Sequence, residues 1–130
     1  MLKFTYTDTS VQLERLTTSS EAMAAQRVTL AMRVGQSICI EPSQASFLLP
    51  SHLSGLVQLE VAAREEQGRS SISMCIADAD FVEVSLRGTW IADSAATSEG
   101  IFLATLSTEG EALICELWQI SQRDASCLRD

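Results

Sequence analysis

The 130-residue chain has no asparagine, one lysine (Lys3), one histidine (His52) and only 5% aromatic residues. Each scarcity removes a class of explanation. Without asparagine there is no acceptor for N-glycosylation and no Asn-Gly hairpin turn. Lys3, alone and near a terminus, is a poor Schiff-base candidate. With one histidine, any Ser-His-Asp or Cys-His arrangement must run through His52. Few aromatic rings argue against a stacking platform for single-stranded nucleic acid.

Other absences are of pattern. GxGxxG, GxxxxGK[ST] and GxSxG do not occur, which removes the common nucleotide loops and the nucleophile elbow. Zinc-type spacing is missing. No apolar run approaches the roughly 20 residues of a membrane span. Met1–Ser10 lacks a basic stretch followed by an apolar core, so the expected location is the cytoplasm. The four cysteines are Cys39, Cys75, Cys115 and Cys127. None forms CxxC, and reduced thiols are expected. The first three fall in strand-like runs. Cys127 falls in a polar tail and is expected to be exposed. The formal charge of −8 repels phosphate backbones at long range, so general nucleic-acid binding is disfavoured.

What is present is a globular balance, 46% apolar and 20% charged, at the length of one domain. A single domain over residues 1–120 with a polar tail over 121–130 is expected. Five stretches alternate apolar and polar residues, the mark of half-buried strands. Leu2, Phe4 and Tyr6 share a face. A turn at Asp8-Thr9 sets Tyr6 opposite Val11 and Phe4 opposite Leu13. Thr18-Ser19-Ser20-Glu21 fits a capping box before a short helix over 22–26. Arg27–Val34 alternates and predicts a strand, hairpinned through Gly35-Gln36-Ser37 so that Val34 meets Ile38. Pro42–Pro50 reads as a connection that tucks Phe47-Leu48-Leu49 into the core. Leu53–Ala63 fits either period, and strand is preferred, paired with Ser71–Ile76 across Glu66-Gln67-Gly68-Arg69. In the helical alternative Gly68 would end it.

Phe81–Ala92 is the longest regular run. Val82, Val84, Leu86 and Trp90 share one face, and Gly88 within it signals a bulge, a bend or a close approach. Ile101–Leu106 and Ala112–Ile120 follow, the latter either a strand or a helix with a capping box at Thr108 and Glu111. The expected fold is mainly β, or α+β if the ambiguous segments are helical. Its antiparallel hairpins would form a curved sheet or small barrel with one to three short helices.

Candidate chemistry is thin. His52, in Pro50-Ser51-His52-Leu53-Ser54, has a turn-like setting and reads first as a surface or helix-start residue. Asp78, Asp80 and Glu83 are the best metal candidates, because Asp-x-Asp in a loop supplies two oxygen ligands. The remaining ligands and central glycine of a calcium loop are missing, so a turn with aspartates bonding the backbone is preferred. Arg27, Arg33 and Arg87 would form a basic patch if their strands neighbour each other, or pair with Glu14, Glu41 or Glu83. Phe81 and Ile91 lie opposite Val84, Leu86 and Trp90, which implies a strand covered on both faces. Either a helix of the same chain or a second subunit supplies the second cover. Trp118 raises the same question, so Phe81, Ile91 and Trp118 are the candidate interface.

Phe81-Val82-Glu83-Val84-Ser85-Leu86-Arg87-Gly88-Thr89-Trp90, Gly100-Ile101-Phe102 and Leu117-Trp118, with Arg27-Val28 and Ser46-Phe47-Leu48-Leu49-Pro50, resemble a set of small uncharacterised cyanobacterial proteins. The resemblance spans most of the chain. It implies a bacterial cytosolic setting and brings no activity or catalytic residue.

The sequence therefore points to a non-catalytic interaction or assembly module that self-associates, with no cofactor. The alternative is a small barrel or cup holding an apolar small molecule against Val84, Leu86 and Trp90. A hydrolase or metal enzyme on His52 or Asp78 and Asp80 ranks third.

Overall fold

Alternation in the first fifteen residues builds a hairpin. Strands β1 (Leu2–Tyr6) and β2 (Val11–Arg15) pair antiparallel with Tyr6 opposite Val11 and Phe4 opposite Leu13, in the register expected. Thr7 and Ser10 close the turn through backbone and hydroxyl hydrogen bonds. This computed structural model describes residues 1–35, 38–65, 72–93 and 98–128, with backbone alone at 65 and 124–128.

The remaining elements are α1 (Ser20–Arg33), β3 (Cys39–Pro50), α2 (Leu56–Glu65), β4 (Ile72–Ile76), β5 (Phe81–Ala92), β6 (Gly100–Ala104) and α3 (Thr108–Leu128). The strand order is β2-β1-β6-β5-β3, with β4 also on β5. The sheet is antiparallel and does not close into a barrel. With α2 over 56–65 and α3 over 111–120 taking the ambiguous segments as helix, the fold is mainly β of the α+β kind.

Three readings of the sequence are corrected. Arg27–Val34 is helix. Ser19 caps α1, its hydroxyl accepting from the Ala22 amide at 3.2 Å. Once nucleated, the helix extends at little further cost through the alternating residues. It stops at Gly35, whose φ of 71° suits only glycine readily. The hairpin placed at Gly35-Gln36-Ser37 is thus absent at Gly35, and residues 36 and 37 lie outside the described residues. Pro42–Pro50 is strand. Ala45 and Leu49 point inward at 9% and 0% exposure while Leu48 is 50% exposed, and Pro42 is tolerated because β3 ends the strand order.

Leu53–Ala63 is also helical, from Leu56 onward. Leu56, Leu59 and Ala62 are buried at helical spacing and Val57 and Val61 are exposed, so the period of 3.6 prevails over the alternation of Val57, Leu59 and Val61. The turn at 66–69, with Gly68, lies outside the described residues. In α3 the cap is Ser107, whose hydroxyl accepts from the Gly110 amide at 3.0 Å, while the buried Glu111 carboxylate accepts from the Leu106 amide at 3.0 Å. Cys115 therefore sits on a helix, and the Cys127 side chain lies outside the described residues.

The described chain divides into two compact units: Met1–Ala45 with Arg87–Thr105, and Ser46–Leu86 with Leu106–Asp130. In the first, Met1, Ile91, Ile101 and Leu103 form a buried cluster packed by Leu16, Met23, Ala24 and Ile38. In the second, α2 packs on α3, and Leu49, Leu59, Val84, Leu86 and Ile114 are fully buried.

Candidate binding cleft

Helix α1 presents two stripes. Arg27, Leu30, Ala31 and Val34 recur at three- and four-residue spacing on one side, and Glu21, Ala25, Val28 and Met32 do so on another. The first stripe lines a cleft of about 510 Å³ in the first unit. Opposite it stand Lys3, Thr5 and Tyr6 of β1, Ile91 and Ala92 of β5, and Gly100 and Ile101 of β6.

The register explains this grouping. Lys3 pairs with Leu103, Thr5 with Ile101 and Tyr6 with Gly100, and Ile91 pairs with Ile101, so Lys3, Thr5, Ile91 and Ile101 share the helix-facing side of the sheet. Lys3 is mostly covered, its side chain 17% exposed, with its ammonium 3.9 Å from Glu14. Glu14 is its cross-strand neighbour on β2. Tyr6 lies at the far end of the cleft, edge-on to Trp90 with ring centroids 5.6 Å apart. Burial pushes the Tyr6 phenol above its usual value of 10.0, because the phenolate loses hydration there.

A second cavity, about 500 Å³, lies in the other unit between the start of α2 and α3 and holds His52, Ser54, Gln58 and Glu116 on a floor of Leu53, Leu113 and Leu117. His52 is exposed at its rim. Asp78 shapes the β4–β5 turn, its Oδ1 accepting from the amides of Asp80 and Phe81 at 2.8 and 2.9 Å, which is the turn arrangement preferred from the sequence. Glu83 Oε1 accepts from the Ser85 hydroxyl at 3.4 Å. Among the described residues no three of the metal-binding types group around a common point.

The candidate interface residues separate. Ile91 is buried beneath α1 at 5% exposure, so at that end of the strand the second cover is a helix of the same chain, and Ile91 is reached only from within the cleft. Phe81 is 38% exposed. Trp118 is half-buried, edge-on to Phe47 at 5.4 Å. Val84 and Leu86, expected as pocket lining in the barrel alternative, are fully buried core. Arg27 and Arg33, placed on a strand with a route to a shared patch with Arg87, instead stand on α1. The cleft escaped the sequence reading because it needs Arg27–Val34 to be helical. Its one visible signal was Arg27, Leu30 and Val34 at helical spacing.

A family model described as Alr0857-like matches residues 1–122. The chain belongs to this family. Its name is a Nostoc/Anabaena locus tag, which agrees with the cyanobacterial resemblance, and no function comes with it. No curated protein and no solved structure matches the chain. Among the described residues no helix is long and apolar enough to cross a membrane.

Proposed function

We propose that the chain is a non-catalytic association module of the cytoplasm whose partner is a second copy of itself. The observation that carries this reading is the outer stripe of α1. Val28 is 36% and Met32 73% exposed, with exposed Ala25 and Glu21 continuing the row. The intervals of four, three and four residues are those of a coiled-coil seam. Ala25 is small enough for close helix approach.

A second copy is the fitting occupant because α1 carries an acid in its first turn and a base in its last, which match when two such helices run antiparallel. Glu21 lies in the first turn and Arg33 in the last, so a two-fold pairing brings each acid to the other copy's base and sets the helix dipoles head to tail. Burying the exposed part of Met32 contributes on the order of 1.5 kcal/mol, and the smaller exposed part of Val28 about 0.5 kcal/mol.

Gel filtration coupled to light scattering tests the reading. A dimer is expected at micromolar concentration, and Val28→Glu with Met32→Glu yields a monomer of unchanged circular dichroism. A wild-type chain that stays monomeric at high concentration removes the proposal.

A further inference from the structure

The cleft on the inner stripe of α1 carries an inference that is independent of the dimer, because it uses a different stripe of the helix, centred roughly 130° away at 3.6 residues per turn. Its floor is apolar, with Ile91 and Ile101 buried at 5% and 7% exposure. Its wall carries Leu30 and Val34, exposed at 56% and 68%, and Ile38. An open cleft of about 510 Å³ falls within the ordinary range for small-molecule sites.

Its charges are placed unequally. Lys3 is drawn largely out of water, and among the described residues its ion partner is Glu14 alone, at 3.9 Å, with the Glu14 side chain 52% exposed. Arg27 has no ion pair among the described residues. A covered cation whose one counter-charge is a largely solvated carboxylate beyond hydrogen-bond distance gains from a second anion brought into the cleft. The cleft also holds Asp93 and Glu99, both of them exposed. They lie beyond the Tyr6–Gly100 end of the ladder, and Tyr6 is roughly 10 Å along the strand from Lys3 at about 3.4 Å per residue. The acids disfavour a multiply charged anion and leave the Lys3 end to a single negative group.

We propose that this cleft binds a small amphipathic carboxylate. Its apolar body lies against Leu30, Val34, Ile38 and Ile91, and its carboxylate is taken by Lys3 and Arg27. The test uses the full-length chain with three probes of one chain length, decanoate, decanol and decyltrimethylammonium, followed by calorimetry and amide NMR. Decanoate is expected to bind saturably, shifting the amides of Tyr6, Ile91 and Ile101. Decanol binds about tenfold more weakly, and the cation more weakly still. Arg27→Gln, at an exposed position of the cleft wall, is expected to weaken decanoate about tenfold while leaving decanol within about twofold. Absence of decanoate binding, equal affinity for decanol, tighter binding of the cation, or full decanoate affinity in Arg27→Gln overturns the proposal. The comparison of probes on the wild-type chain decides it even if Arg27→Gln fails to fold.

Discussion

A β-carbon at Gly88 would lie 2.0 Å from the carbonyl oxygen of Leu103 and 2.9 Å from the ring of Phe102. The neighbouring residue, Thr89, pairs with Leu103, so the collision is with backbone that the ladder holds in place. Of the meanings a glycine carries in a strand, this one is close approach. Gly88→Ala is expected to lower unfolding stability by about 3 kcal/mol or more in urea titration. A loss under about 1 kcal/mol would mean the strands part there cheaply. Tyr6, the sole tyrosine, allows a second test. Because its phenol is raised by burial, the folded chain holds that proton more tightly than the unfolded one. The resulting stability is complete below the ordinary value of 10.0 and is lost as pH rises through the folded value. Ultraviolet titration should place the phenolate midpoint above 10.0, and Tyr6→Phe should flatten the alkaline decline of stability. A midpoint at or below that value contradicts the burial argument.

Helix α1 is where element and pattern disagree most. Val28, Leu30, Met32 and Val34 alternate as a strand would, yet the buried residue of this helix is Ala31, whose weak apolar character leaves little mark on a periodicity. The helix is held by its ends and by the partly buried Met23 and Ala24 against the sheet. Ser19→Ala is therefore expected to cost about 1 kcal/mol of stability, measured by chemical denaturation. An unchanged midpoint would show that packing alone holds the first turn. The β1–β2 hairpin was legible because its residues are of clear polarity and a two-residue turn alone decides which of them oppose each other. The expected pairing of Ser71–Ile76 with Leu53–Ala63 is not correct: β4 (Ile72–Ile76) pairs with β5, Met74 opposite Val84, because its expected partner is helical from Leu56. In α2 and α3 both periods fit the same residues, and helix–helix packing decided between them.

Every copy of the whole molecule carries a formal charge of −8, so two copies repel at long range even where Glu21 meets Arg33. The dimer is accordingly expected to tighten as salt rises from roughly 20 to 200 mM, since screening shortens the repulsion from about 20 Å to less than 10 Å. Sedimentation equilibrium across that range checks it. Weakening with salt would mean that the specific ion pairs outweigh net charge.

The sequence alone determined the antiparallel class, the β1–β2 register, the long strand β5 and the membership of a cyanobacterial family. All of these follow from alternation, turn length and local residue identity. Tertiary structure decided that the two ambiguous segments are helical from Leu56 and from Thr108, and that Arg27–Val34, read as a strand, belongs to helix α1 and its cap. It also decided that Ile91 is covered by its own chain and that Lys3 and Arg27 share a cleft. The reason is physical: which period a segment obeys depends on what packs against it, and residues 24 positions apart meet only when a helix is laid across a sheet.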